Sequence, residues 1–148
     1  MTDQEKTVRA TGRCHCGGVR YTVRGPSRPV IQCHCEMCRR ACGGVWKATA
    51  ARRDDITIED DDCLTRYRST PAVQRGFCGR CGASLFWNHD ERPYIGISAG
   101  TLDAPTGLKL ALHIFTDDAG DWYELSDDGI AKAPGIPQDM SALKFPAE

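Results

Sequence analysis

Seven of the nine cysteines in this 148-residue chain fall in three short clusters: Cys14-His15-Cys16, Cys33-His34-Cys35-Glu36-Met37-Cys38 and Cys78-Gly79-Arg80-Cys81. Thiolates grouped in this way suit metal coordination, zinc first. A C-x-x-C turn folds both sulfurs to one side, so that they converge on a point about 2.3 Å away. A C-x-C pair in a regular strand would send its sulfurs to opposite faces, so both C-x-C pairs must sit on turns or bulges if each chelates one ion. Gly17-Gly18 and Gly82 follow the knuckles and permit the positive φ that tight loops require. A lone cysteine reads as a small buried hydrophobe; seven clustered ones read as ligands. A redox C-x-x-C opens the helix of a βαβ unit, and no such pattern surrounds either copy.

Spacing leaves the partition open. Cys35, Cys38, Cys78 and Cys81 make a C-x2-C…C-x2-C ribbon that leaves Cys14, Cys16 and Cys33 without a complete site. Pairing Cys14 and Cys16 with Cys78 and Cys81 closes a four-thiolate site and leaves Cys33, Cys35 and Cys38 as a contiguous set of three. Four protein ligands make a closed structural site, whereas three leave a position open for water or substrate.

The elements that must position these clusters are short β-like runs between turn signals. Val19, Tyr21 and Val23 alternate with polar residues; further runs are Val30-Ile31, Val45 to Ala48, Ile56 to Ile58, Leu64 to Tyr67, Ser84 to Trp87, Tyr94 to Ile97, Leu110 to Phe115 and Trp122 to Leu125. Period-two alternation at this spacing predicts a mainly β domain of sandwich or barrel-like form with little helix. One short helix is predicted over Glu36 to Cys42, stopped by Gly43-Gly44. The segment from Ala133, with Pro134, Pro137 and Pro146, is predicted to be extended and to lie over the domain or fray.

Composition bounds the class. The length fits one domain with a sizeable core, and 41% hydrophobic residues exclude a largely disordered chain. No apolar run reaches the roughly 18 to 20 residues of a membrane span, and the polar start MTDQEKTVRA with an odd cysteine count points to a reducing, cytoplasmic setting. The net charge of −1 argues against a general nucleic-acid binder. Residues 1–53 nevertheless hold eleven basic and three acidic residues and the remainder eight and seventeen, so the two halves can pack their opposite charges together.

The phrases Gly12-Arg13-Cys14-His15-Cys16-Gly17-Gly18-Val19-Arg20-Tyr21, Cys33-His34-Cys35-Glu36-Met37-Cys38-Arg39-Arg40 and Phe77-Cys78-Gly79-Arg80-Cys81-Gly82 resemble the glutathione-dependent formaldehyde-activating enzyme family, which also includes centromere protein V. The later His113-Ile114-Phe115 and Trp122 extend the resemblance over roughly residues 10 to 125. It implies a single, mostly antiparallel β-tent domain over 10–126, flanked by a polar tail at 1–9 and a proline-containing tail at 127–148. It also implies two Zn2+ ions per chain, one structural on Cys14, Cys16, Cys78 and Cys81 and one catalytic on Cys33, Cys35 and Cys38. The implied reaction is that of a carbon-sulfur lyase, joining formaldehyde, or a similar small electrophile, to glutathione or a related thiol to give S-hydroxymethylglutathione or its analogue.

Arg39 and Arg40 follow Cys38, and a guanidinium can hold a glutathione carboxylate in bidentate fashion, so both are candidate substrate anchors, the alternative being an exposed basic turn. His15 and His34, between ligands, are expected to point away and to pack or hydrogen-bond elsewhere. His113 reads as a satisfied, half-buried histidine, with an acid or base role permitted by the resemblance. Trp46, Trp87 and Trp122 read as core or pocket walls, Glu59-Asp60-Asp61-Asp62 as a solvated turn, and Cys63 as structural and remote from any knuckle. Two departures from the family pattern stand out. Cys42 occupies a position where Thr or Ser is expected, either a small buried side chain or a fourth sulfur, and Val45-Trp46 replaces a smaller residue and Phe. The rival reading is a non-catalytic, zinc-stabilised module that binds protein or nucleic acid through the basic N-terminal third; overall acidity and the lack of interleaved aromatics stand against it.

Overall fold

The alternation along Val19–Val23 buries Val19, Tyr21 and Val23 and turns Arg20 to solvent, as a strand with one face on a core requires. In the computed structural model, which describes residues 6–147, that strand is β2 of ten. β2 (Val19–Val23) lies between β1 (Ala10–Arg13) and β5 (Ile56–Asp60) in a three-stranded antiparallel sheet. The other sheet has seven strands in the order β10-β3-β4-β9-β8-β7-β6. These are β3 (Val30–Cys33), β4 (Trp46–Arg52), β6 (Leu64–Thr70), β7 (Val73–Cys78), β8 (Ser84–His89), β9 (Tyr94–Ser98) and β10 (Leu110–Ile114). The protein is therefore mainly β in a single small domain, with one α-helix among the described residues, α1 (Glu36–Cys42).

The sheets are not wholly antiparallel. β10 pairs with β3 in parallel, because the chain leaves β9 beyond β4 and crosses over through residues 99–109 before running alongside β3. The segment Trp122 to Leu125 runs from a turn into irregular chain and is not a strand, and Trp122 is 63% exposed, so it is not part of the core. Trp46 is buried, its indole N–H donating to Ser98 Oγ at 2.7 Å, and Trp87 is half-buried against Tyr94. The acidic run is exposed, although Glu59 and Asp60 belong to β5.

One core lies between the two sheets, where Val19, Tyr21 and Val23 meet Leu85, Phe86 and Ile97. A second gathers Ile31, Trp46, Ala48 and Leu112 with Cys33 and Cys38. β4 presents Ala48, Ala50 and Ala51 with no exposed surface, since it runs through the middle of the large sheet. The outer edge β6 is mostly exposed and has a register shift between Arg68 and Thr70. The edge at β10 is covered: the His113 N–H donates to the Ala131 carbonyl, the Ala133 N–H to the His113 carbonyl and the Phe115 N–H to the Gly135 carbonyl. No helix among the described residues is long and apolar enough to cross a membrane.

Candidate metal centres

The sulfurs of Cys14, Cys16, Cys78 and Cys81 lie within 4.8 Å of one another. Cys14 and Cys16 come from the turn between β1 and β2, Cys78 ends β7 and Cys81 lies in the turn that follows it, so the group joins the small sheet to the large one. Gly17 and Gly82 both take φ of 79°, which lets each turn curl its sulfurs inward. Backbone N–H groups point at the sulfurs: Val19 N–H at Cys14 (3.3 Å), Gly18 N–H at Cys16 (3.4 Å) and Cys81 N–H at Cys78 (3.4 Å). N–H groups of Cys16 and Ala83 hold the Cys81 thiol down, to about 6. The neighbouring sulfurs stand 3.6 Å apart for Cys14 and Cys16 and 3.7 Å apart for Cys16 and Cys78. A tetrahedral zinc with bonds of about 2.3 Å requires sulfurs roughly 3.8 Å apart, so the donor set fits the ion.

Cys63 is not remote from this group. It is buried immediately before β6, its carbonyl accepts the Gly79 N–H at 2.7 Å, and a Cβ added to Gly18 would stand 2.6 Å from its sulfur. Sequence spacing missed the contact because residues 61–63 are brought back against Gly18 by the pairing of β2 with β5.

Cys33, Cys35 and Cys38 form a second group within the same 4.8 Å limit. Cys33 ends β3, Cys35 caps α1 by accepting the Cys38 N–H at 3.3 Å, and Cys38 lies on the first turn of the helix. Hydrogen bonds from Cys33 and Cys38 lower the Cys35 thiol, while the bond it gives to Cys35 raises Cys33. Cys33 and Cys38 are buried and Cys35 is half-exposed, so the group opens toward solvent at Cys35. Cys42 does not join it: this half-buried thiol lies 3.2 Å from the Gly44 carbonyl, which it can donate to. Both clusters could therefore hold a metal ion, one with four thiolates and one with three.

Around the second group, Arg75 of β7 donates from Nη2 to Cys38 Sγ at 3.5 Å and lies over the Trp46 ring at 6.0 Å. Arg39 is half-buried, and no carboxylate among the described residues pairs with it. Arg40 is exposed and donates to Glu36 at 2.9 Å. His15 is exposed. His34 is buried and points away from the sulfurs, with Nδ1 2.5 Å from Tyr123 Oη and Nε2 3.0 Å from His113 Nδ1. Burial, followed by the fields of His113 and Lys132, lowers its pKa. His113 is fully rather than half-buried, and its Nε2 lies 2.8 Å from Asp128 Oδ2. The Ile130 N–H, then His113, depress the Asp128 carboxyl. Sequence reasoning did not reach Arg75, Tyr123 or Asp128, since no local motif marks a side chain that arrives from another strand or turn.

A model of the glutathione-dependent formaldehyde-activating enzyme family matches residues 9–118. A Halomonas elongata protein provisionally named as a glutathione-dependent formaldehyde-activating enzyme is 29% identical over 128 residues, covering 77% of this chain and 79% of its own. An uncharacterised lyase of Schizosaccharomyces pombe is 24% identical over 118 residues, covering 78% and 85%. The crystal structure of a Rhodobacter sphaeroides protein is similar with a TM-score of 0.52 and 27% identity, covering 68% of this chain and 97% of that one.

Proposed function

The chain belongs to the glutathione-dependent formaldehyde-activating enzyme family, and from that premise we propose that it is a zinc-dependent carbon-sulfur lyase joining formaldehyde, or a similar small electrophile, reversibly to glutathione or a related thiol. The observation that carries the reading is the set of three cysteines, with Cys42 turned aside and Cys35 half-exposed. Zinc on those three thiolates would supply an open position at which a substrate sulfur is held as the thiolate, while the four-cysteine group would hold a structural ion.

The protein's part is to gather and orient. Arg75, buried against Cys38, offsets the formal charge of −1 that three thiolates leave on a divalent ion. Arg39, which no carboxylate among the described residues pairs with, offers its guanidinium to a carboxylate of glutathione. Arg40 can exchange Glu36 for a second carboxylate, because an exposed pair four residues apart on a helix is worth only about 0.3–0.5 kcal/mol. In the reaction the sulfur attacks the aldehyde carbon, the carbon-oxygen π pair moves to oxygen, and that oxygen takes up a proton. Holding both reactants at the mouth of the site converts a bimolecular encounter into an oriented one.

The test is two-dimensional exchange NMR on zinc-loaded protein with glutathione and carbon-13 formaldehyde, read against the uncatalysed reaction. Exchange faster than the protein-free control, and abolished in Cys35→Ser, is expected. A wild-type rate equal to the control overturns the reading.

A further inference from the structure

A fifth thiol stands beside the four-cysteine group. Cys63 is 8% exposed and shares a core with Cys14 and Cys78, against which Cys81 packs. The segment that carries it is tied to both sets of ligands. The Asp61 N–H donates to the Gly18 carbonyl at 2.8 Å and the Gly79 N–H to the Cys63 carbonyl at 2.7 Å, while Leu64 stands opposite Cys78 in the pairing of β6 with β7. Neither approach leaves room for a side chain. A Cβ at Gly18 would stand 2.6 Å from the Cys63 sulfur, and one at Gly79 would stand 2.6 Å from Thr65 Oγ1 and 3.3 Å from the Cys63 carbonyl oxygen. Gly18 and Gly79 are not in the positive-φ region, so it is the closeness of this segment, and not turn geometry, that calls for glycine at both positions. The Cys63 thiol also shares a hydrogen bond with Cys78.

The four ligands differ in what can reach them. Cys14 and Cys78 are buried, Cys81 is half-buried and Cys16 is exposed. Cys16 is thus the sulfur that a soft electrophile meets first. Its loss would leave three thiolates and open a site whose part is to close the two sheets together. The space beside Gly18 asks only for a small side chain, which alanine or serine would also supply. A sulfur there adds a zinc ligand that the tetrahedral set does not use, since Cys63 is not among the four sulfurs that lie within 4.8 Å of one another.

We propose that Cys63 is an alternate ligand of the four-cysteine group, which takes the place of Cys16 when that sulfur is alkylated and so keeps the ion in the protein. With an α,β-unsaturated carbonyl compound as the electrophile, the Cys16 lone pair becomes the new bond to the β-carbon and the carbon-carbon π pair passes to the α-carbon. Cys16 is left as a thioether, a far weaker zinc ligand than a thiolate. Cys63 loses its proton, the α-carbon gains one through water, and Cys63 coordinates as the thiolate. Four thiolates hold the ion before and after, so the formal charge of the group does not change. The exchange calls on side-chain rotation within a shared core and on no rearrangement of a strand. Nothing in this role of Cys63 depends on the lyase reading; it needs only an ion on the four-cysteine group.

Two measurements on the full chain test this. Loaded with cadmium-113, each site gives its own NMR resonance, and exchange of a thiolate for an oxygen ligand moves that resonance upfield. Cys63→Ser is expected to keep the four-thiolate resonance of the wild type, and Cys16→Ser to keep it too. The double variant Cys16→Ser with Cys63→Ser is expected to lose it or shift it upfield. Its metal affinity is expected to fall below that of Cys16→Ser by more than the roughly 10–100-fold that a partner outside the ligand set is worth. A Cys16→Ser spectrum that matches the double variant overturns the proposal, as does a Cys16→Ser chain that no longer folds around two ions. In the second measurement, zinc-loaded wild type and Cys63→Ser are treated with N-ethylmaleimide until peptide mass spectrometry finds Cys16 modified, and released zinc is read with a chromophoric chelator. Loss from the three-cysteine group is common to both chains, so the difference between them reports the other ion. Cys63→Ser is expected to release one ion per chain more than the wild type, and equal release overturns the proposal. A wild type without a four-thiolate resonance overturns it together with the structural ion, whereas a loaded wild type that fails to accelerate the exchange reaction overturns the lyase reading alone.

Discussion

Arg75 reaches Cys38 from 37 residues away, and the residue as a whole is 9% exposed. A hydrogen bond to a charged group contributes roughly 1.5–3 kcal/mol, so Arg75→Met should weaken zinc at the three-cysteine group by tenfold or more. Competition with a chromophoric chelator would show one ion per chain lost early and the other held as in the wild type. Cys42→Ser, by contrast, should keep two ions per chain by elemental analysis, because its sulfur is turned to Gly44. Tyr21 supplies a pH signature. Burial first, and then Asp103, raise its phenol to about 12 against the hydroxyl of Thr101, which it meets at 2.7 Å. The folded state keeps this proton when the unfolded chain has lost it, so the associated stability is complete below about pH 10 and falls away between about pH 10 and 12. Denaturant titrations should show that decline in the wild type and a flatter one in Tyr21→Phe. The cysteine clusters were legible because ligand spacing is local. Arg75 and Tyr21 owe their roles to neighbours from distant strands.

Elements were legible in proportion to how regular their patterns are. β2, with three buried residues at period two, and α1, with its Gly43 cap, stand where the sequence puts them. β1 is only Ala-Thr-Gly-Arg and buries a glycine, so it carries no hydrophobic alternation to read. β7 buries Val73, Arg75, Gly76 and Cys78, a pattern in which an arginine and a glycine hide the strand. The parallel pairing of β10 depends on a crossover whose path no residue type announces. Turn geometry, on the other hand, is written in glycine. Gly82 has φ of 79° and open space for 4 Å around the point where a side-chain methyl would stand, so Gly82→Ala meets no clash and costs only conformation. That cost is about 1 kcal/mol, which calorimetry should read as a fall in Tm of about 2–4 °C, with zinc content unchanged.

At the scale of the molecule the two metal groups differ in what they close. Cys16 and Cys78 are separated by 62 positions and belong to different sheets, whereas Cys33 to Cys38 span a single strand-helix corner. A link between distant segments restrains far more of the unfolded chain than a local one, so Cys78→Ser should lower Tm more than Cys35→Ser when both are melted zinc-loaded. An equal fall would mean that the sheets are held by their shared core alone. The charge asymmetry also has a counterpart in the fold, since Lys6 pairs with Asp55 at 2.8 Å and Arg20 with Asp61 at 3.5 Å across the two halves. The cover that residues 131–135 lay over β10 matters for how the protein can be shortened. The large sheet has two outer strands: β6 carries Arg66 and Arg68 beside a register shift, features that discourage pairing with another chain, while β10 with Leu110, Leu112 and Ile114 relies on its cover. A chain truncated after Ser126 would leave those amides and carbonyls bare on an apolar strand. It should self-associate edge to edge and precipitate in light-scattering trials at concentrations where the full chain stays clear.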